Sequence, residues 1–179
     1  MERVSIDDIE AEPHPMGVNR ERRSITDAVG AEHMSAVHYE LDPGEQFSGG
    51  LHTHHDQEEL FYVIEGTATF EYREPQRGSD GSSGEHSDPR DGTDRAETEV
   101  SAGEVIRFEP GEFQCGRNKS DGRVVGLAVA APGSRHNWTD LESFAPCPEC
   151  DEVTSHGVEE PDGDFVIYCN ECGNEMRIA

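Results

Sequence analysis

The stretch from His52 to Gly66 decides the predicted fold, and it reads His-Thr-His-His-Asp-Gln-Glu-Glu-Leu-Phe-Tyr-Val-Ile-Glu-Gly. His52 and His54 are two residues apart, and on a β-strand such side chains point to the same face. Glu59 begins the apolar run that follows, which also has the character of a strand. If the two strands are neighbours, two imidazoles and one carboxylate converge inside the protein, where they can bind one metal ion.

Short strands separated by glycine and proline turns are predicted on both sides of this stretch. Val37, Tyr39 and Leu41 alternate with other residues at the two-residue period of a strand. Further strands are predicted at 51–55, 60–64, 67–73, 105–108, 113–115 and 124–130. Gly66 forms a hairpin-like turn between two of them. No segment has a convincing helical period, so the pattern favours an all-β sandwich or barrel.

Two motifs in this part of the chain resemble those of the cupin family. The first family motif is His-x-His, three or four residues, Glu, six residues and Gly. His52, His54, Glu59 and Gly66 fit it, with four residues between the second histidine and the glutamate. The leading glycine of the motif corresponds to Gly44, which lies two residues too far upstream.

The second family motif is Gly, five residues, Pro-x-Gly, two residues, His, three residues and Asn. Gly103, Gly111 and Asn118 match it, whereas Glu109 takes the proline position and Gln114 takes the position of the histidine. The resemblance implies a double-stranded β-helix, or jelly-roll, barrel with a metal site inside, often assembled as a homodimer.

The candidate ligands of the barrel metal are therefore His52, His54, Glu59 and Gln114. Two imidazoles and a carboxylate suit a divalent transition ion such as iron, manganese, nickel or zinc. Gln114 could bind through its amide oxygen or hydrogen-bond a metal-bound water. Glu58 is the near alternative to Glu59, whose distances to both flanking motif residues fit. His55 should face the opposite side of its strand and bind no metal.

Four of the five cysteines form two Cys-x-x-Cys pairs, and this second motif resembles a zinc ribbon. The pairs are Cys147/Cys150 and Cys169/Cys172, separated by eighteen residues, a spacing that suits a tetrahedral zinc site. Four protein ligands close the coordination shell, so the zinc should be structural rather than catalytic. Thiol redox chemistry is the other alternative. Cys115 stands alone and is interpreted as a small core residue.

The sequence divides into an N-terminal arm at 1–33, a barrel at 34–135 and a zinc ribbon at 143–179. Within the barrel, residues 74–99 contain no apolar side chain larger than alanine, which predicts a mobile acidic loop. Its His86 is interpreted as a solvated residue and not a ligand.

The composition is strongly acidic, with 39 Asp and Glu against 14 Lys and Arg and a formal net charge of -25. No basic stripe favours nucleic acid, and no apolar run is long enough to span a membrane. With no signal peptide evident, we expect a cytoplasmic protein. The charge resembles that of halophilic proteins. An acidic mesophilic protein with a disordered tail is the alternative.

Two functions remain open at this level. The first is a metal-binding cupin that binds a small-molecule ligand, with the zinc ribbon as a contact for a partner protein. The second is a cupin metalloenzyme of dioxygenase, isomerase or lyase type that acts on a small molecule. Fold and ligand set do not decide between the two.

The net charge generates the first prediction. Lowering the salt from molar to millimolar concentration should lower the melting temperature and unfold the protein, because the acidic groups then repel one another unscreened. Circular dichroism across a salt series measures this. A melting temperature that stays flat or rises as salt is removed would contradict the halophilic interpretation.

Overall fold

Two antiparallel β-sheets make up most of the computed structural model, which describes residues 1–73, 95–134, 141–159 and 165–178. Within these residues the first sheet has five strands, in the spatial order β1 (Glu21–Ser24), β2 (Ser35–Leu41), β9 (Val124–Ala131), β4 (Glu58–Glu65) and β7 (Val105–Phe108). The described part of the second sheet has eight, in the order β13 (Glu175–Ile178), β12 (Phe165–Cys169), β11 (Glu152–Glu159), β10 (Leu141–Cys147), β3 (His52–His54), β8 (Phe113–Arg117), β5 (Thr67–Arg73) and β6 (Arg95–Ser101).

The core lies between the two sheets and is built from the inward side of each alternating strand. In β4, Phe61 and Val63 are buried while Tyr62 between them is exposed, as the two-residue period requires. Phe61 meets Phe70 of β5 from the opposite sheet at a ring-centroid distance of 4.9 Å. Phe47 stacks on Phe70 at 5.8 Å. These aromatic contacts hold the two sheets together.

Gly66 forms the turn between β4 and β5 that the sequence predicts. Its φ of 79° lies in the left-handed region, which favours glycine. A Cβ at this position would lie 2.5 Å from the carbonyl oxygen of Arg123. The close approach of the neighbouring backbone therefore also requires glycine here.

Asn118, which follows β8, is hydrogen-bonded to the end of β2 and to the loop after it. Its side-chain amide donates hydrogen bonds to the carbonyl oxygens of Leu41 at 3.0 Å and Gly122 at 2.7 Å. The backbone carbonyl oxygen of Asn118 accepts a hydrogen bond from the backbone N–H of Gly44 at 2.9 Å. With 1% of its surface exposed, Asn118 has a structural role, which explains its position in the second motif.

The segment 1–33 contains regular structure in addition to strand β1. A five-residue helix, α1 (Ile25–Val29), begins at Ser24, whose side chain accepts a hydrogen bond from the backbone N–H of Asp27 at 3.2 Å. It ends at Gly30, which has a φ of 64°. A helix this short shows no periodicity in the sequence. No helix in the described residues is long and apolar enough to cross a membrane.

Strand β6 begins earlier than the sequence predicts, so the expected loop at 74–99 is wrong over its last five residues. Arg95 pairs with Arg73 of β5 in the backbone ladder, and its guanidinium donates to Glu71 at 2.7 Å. Backbone pairing and ion pairs, which need no large apolar side chain, extend this strand. Residues 74–94, including His86, lie outside the described residues.

The cysteine-bearing strands continue the second sheet directly. The predicted boundary at residue 143 falls inside β10, which pairs with β3: Leu141 lies opposite His54, and Ser143 opposite His52. The backbone N–H of Phe144 also donates to the carbonyl oxygen of Leu51 at 3.1 Å. The strand that carries the two histidines is therefore an interior strand, hydrogen-bonded by β8 on one side and by β10 on the other.

Candidate metal centres

Two strands from opposite sheets bring together His52, His54 and Glu59. β3 contributes both histidines on its inward face, and β4 contributes the glutamate. One ligand atom from each of the three side chains lies within 4.8 Å of the other two. The three residues are 8%, 5% and 7% exposed, so the group lies in the interior between the sheets.

The imidazole of His52 is oriented by a backbone contact. Its Nδ1 lies 2.9 Å from the carbonyl oxygen of Gly50, which can only accept a hydrogen bond, so Nδ1 carries the proton. Nε2 is then the unprotonated nitrogen, available as a metal donor. A backbone carbonyl that fixes the tautomer in this way is a common feature of metal-binding histidines.

Burial shifts the pKa values of His52 and Glu59 in opposite directions, and both shifts favour the neutral side chain. It lowers the pKa of His52 and thus favours the neutral imidazole, the form that binds metals. It raises the pKa of Glu59 to about 7, against a smaller opposing effect of the hydrogen bond from Gln114. A buried carboxylate that costs this much to ionise is stabilised by a nearby cation.

Gln114 contacts two members of this group, Glu59 and His52. Its Nε2 donates to Glu59 Oε2 at 2.8 Å and lies 3.4 Å from His52 Nε2. Its Oε1 is buried and has no hydrogen-bond partner among the described residues. Rotating the amide by half a turn exchanges these two atoms, so the same side chain can present an oxygen to a cation. Two imidazoles, a carboxylate and an amide oxygen fit a divalent transition ion.

The neighbouring candidates point away from this group. His55 has a side chain 51% exposed, and its Nε2 lies 3.0 Å from a carboxylate oxygen of Glu142. Glu58 is exposed and accepts a hydrogen bond from Arg107 at 2.6 Å. The structure therefore places Glu59, and not Glu58, with the two histidines. Cys115 is completely buried, as expected for a core residue.

The four paired cysteines form the second cluster. Their sulfur atoms lie within 4.8 Å of one another. The distance between the sulfurs of Cys147 and Cys172 is 3.6 Å, and that between Cys150 and Cys169 is 3.9 Å. A tetrahedral zinc with Zn–S bonds of about 2.3 Å has sulfur–sulfur edges of about 3.8 Å. The cluster therefore has the dimensions of a four-cysteine zinc site.

Thr154 adds a contact to this cluster that no sequence motif indicates. Its hydroxyl lies 3.2 Å from the sulfur of Cys169 and is completely buried. This hydrogen bond is the main reason that the pKa of Cys169 is lowered to about 6. A thiolate, the form that binds zinc, is therefore favoured at Cys169.

One row of cross-strand neighbours connects the two clusters. Gln114 lies opposite His52, His52 opposite Ser143, Ser143 opposite His156, and His156 opposite Cys169. Directly opposite residues in a sheet have their side chains on the same face. His156 is completely buried and stands between the clusters, a position that depends on strand register and that the sequence motifs do not reveal.

Comparison with known proteins supports the fold assignment. No family model and no curated protein sequence matches the chain. A sugar phosphate isomerase from a cupin superfamily, from Silicibacter pomeroyi, aligns with a TM-score of 0.54 and 18% identity over 98% of this chain and 92% of that chain. An uncharacterized conserved protein with a double-stranded β-helix domain, from Klebsiella pneumoniae, aligns with a TM-score of 0.50 and 18% identity over 74% of this chain and 91% of that chain.

A third structure, the formate complex of oxalate decarboxylase from Lactobacillus farciminis, aligns with a TM-score of 0.50 and 19% identity. The alignment covers 70% of this chain and 32% of that longer chain. At these identities the likeness defines the fold alone. The chain thus has the cupin fold, a double-stranded β-helix, and a four-cysteine element continues its second sheet.

The contacts of Gln114 predict its contribution to metal affinity. Gln114→Ala should weaken binding of a divalent ion by roughly 10- to 100-fold, the usual cost of losing a group that orients a metal ligand. Gln114→His should tighten binding, because imidazole is a stronger donor to a transition ion than an amide. Competition titrations with a chelator measure both. Equal affinities in all three proteins would show that Gln114 does not act on the ion.

The pairing of β10 with β3 predicts that the two clusters are coupled. Cys172→Ser should remove one zinc per chain, accelerate amide hydrogen exchange in β10 to β12 and weaken barrel metal binding on the order of tenfold. Cys115→Ala, at the unpaired cysteine, is the control and should retain both properties. Loss of zinc with unchanged barrel affinity would contradict the coupling, and unchanged zinc content would contradict the zinc site.

Proposed function

We propose that the protein binds a divalent transition-metal ion inside its barrel and, on that ion, a small-molecule ligand. The observation that carries the proposal is the convergence of His52, His54 and Glu59 from opposite sheets, with donor atoms within 4.8 Å of one another. Buried titratable side chains in such an arrangement are costly unless a cation compensates them. The ion is iron, manganese, nickel or zinc, since all four accept this donor set.

Three or four protein donors leave coordination positions open on such an ion. A six-coordinate ion bound by the two histidines, the glutamate and the Gln114 amide retains two positions for a ligand. Two neutral imidazoles and one carboxylate also leave one net positive charge on a divalent ion. A small molecule with oxygen donors can fill the positions and balance the charge.

The four-cysteine cluster holds a structural zinc in this proposal. Four thiolates complete a tetrahedral shell and leave no position for substrate. The sulfur–sulfur distances of 3.6 and 3.9 Å support this assignment. Thiolates persist in a reducing compartment, which is consistent with the cytoplasm as the proposed location. High salt is the proposed working condition, because the net charge of -25 is then screened.

The second candidate function is a cupin metalloenzyme that converts its small molecule. The open positions favour it, because a catalytic metal must admit substrate or water beside its protein ligands. Sugar phosphate isomerase and oxalate decarboxylase are the names of aligned structures, but identities of 18% and 19% carry no substrate over to this chain. Metal-dependent turnover of any small molecule distinguishes the enzyme from the binding protein.

Removing one histidine tests the barrel site. His54→Ala should abolish the barrel metal in elemental analysis and lower affinity by more than the roughly 10- to 100-fold cost of an outer-shell change. Zinc in the cysteine cluster should remain close to one per chain, because His54→Ala leaves all four sulfurs in place.

His55→Ala is the matched control, since His55 adjoins His54 but points outward. It should retain both metals. If His54→Ala keeps the barrel ion, or if the unaltered protein binds no divalent metal beyond one zinc at micromolar concentration, the proposed function is wrong.

A further inference from the structure

A cavity of about 120 Å³ lies beside the histidine group. One wall is formed by the cysteine-bearing strands, through Leu141 and Ala145 of β10, Val158 of β11 and Ile167 of β12. Leu141 lies opposite His54, and Val158 opposite Ile167, so this wall continues the face that carries the histidines. The extension of the barrel sheet thus creates a partly open cavity with a wall that the barrel strands alone do not provide.

Chain segments outside the sheet line the other side of the cavity. Gly50 lies there, together with Met16 of the N-terminal segment. Met16 packs closely against Gly49, where an added Cβ would lie 2.2 Å from the methionine sulfur. The N-terminal segment therefore forms part of the cavity wall.

The cavity adjoins the proposed metal site through a shared residue. His52 is one of its lining residues and is also one of the three candidate metal ligands. Most of the remaining lining is carbon, from Leu141, Ala145, Val158 and Ile167. Cavities of this size with apolar walls hold small hydrocarbon groups; an apolar cavity of about 150 Å³ accommodates benzene.

We propose that the ligand of the barrel metal carries a compact apolar group, of about six carbons or fewer, that this cavity receives. The inference rests on the proposed function, because the metal binds the polar end of the same molecule. That end is an anionic oxygen chelator, since the ion offers open positions and one uncompensated positive charge. Short 2-oxo or 2-hydroxy carboxylates with a branched or ring side group have this chemistry.

Calorimetric titration of the full-length holo-protein with three 2-oxo acids tests the proposal. Pyruvate supplies the chelating head with a methyl group, and 4-methyl-2-oxopentanoate adds three carbons in a branched chain. Burial of each added carbon should tighten binding roughly three- to fourfold, so the branched acid should bind tens of times more tightly. A 2-oxo acid with a naphthylmethyl group is too large for the cavity and should lose this gain.

Filling the cavity should remove the preference without removing the metal. Ala145→Leu introduces a larger side chain into the cavity wall and should reduce affinity for the branched acid to near that of pyruvate. Ala96→Leu makes the same change on β6, four strands away in the same sheet, and should leave the preference intact. Zinc and barrel-metal content, measured on every sample, confirm that both variants are folded and loaded.

The outcomes separate the two proposals. If pyruvate binds in a metal-dependent manner but the branched acid binds no more tightly, the cavity does not receive the ligand, and the proposed function stands. The same holds if Ala145→Leu, fully loaded, keeps the preference. If none of the three acids binds the loaded protein, both the chelating ligand class and the cavity proposal are overturned.

Discussion

The pairing of β3 with β10 is the constraint that positions the histidines of the barrel site and joins the two candidate centres in one sheet. β3 is only three residues long, yet it carries two of the three donors of the barrel site. It is held in the sheet by three register pairs with β10 but by only one described register pair with β8, that of His52 and Gln114. Since β10 ends at Cys147, the zinc proposed there would stabilise the strand that positions the histidines. The strand that carries Cys147 is thus part of the support for the barrel site.

Buried polar groups are the second constraint. Burial lowers the pKa of His52 and raises that of Glu59, so the interior disfavours the charged form of both side chains. Gln114 reaches both side chains and satisfies part of their hydrogen-bonding need. The proposed divalent ion would offset the remaining cost of burying these polar groups and would hold the same residues together.

Charged side chains, rather than buried polar groups, dominate the surface of the protein. Arg23, Glu40, Arg123 and Glu65 form a chain of ion pairs along the outside of the first sheet. The pairs made by Arg123 are the more exposed ones and contribute little individually, and 14 basic residues cannot neutralise 39 acidic ones. The remaining charge repels across the whole surface, whereas the two centres depend on short-range contacts that salt screens weakly.

The sequence by itself determined the all-β class, most strand positions, the His52, His54 and Glu59 group and the four-cysteine set. These follow from the two-residue strand period and from ligand spacing, both of which are local. Only the tertiary structure decided that β10 joins β3, that His156 lies between the clusters and that an apolar cavity adjoins His52. Strand β6 was likewise missed over residues 95–99. Pairing between distant strands uses backbone hydrogen bonds, which are the same for nearly every residue type, so the choice of partner strand leaves little trace in the sequence.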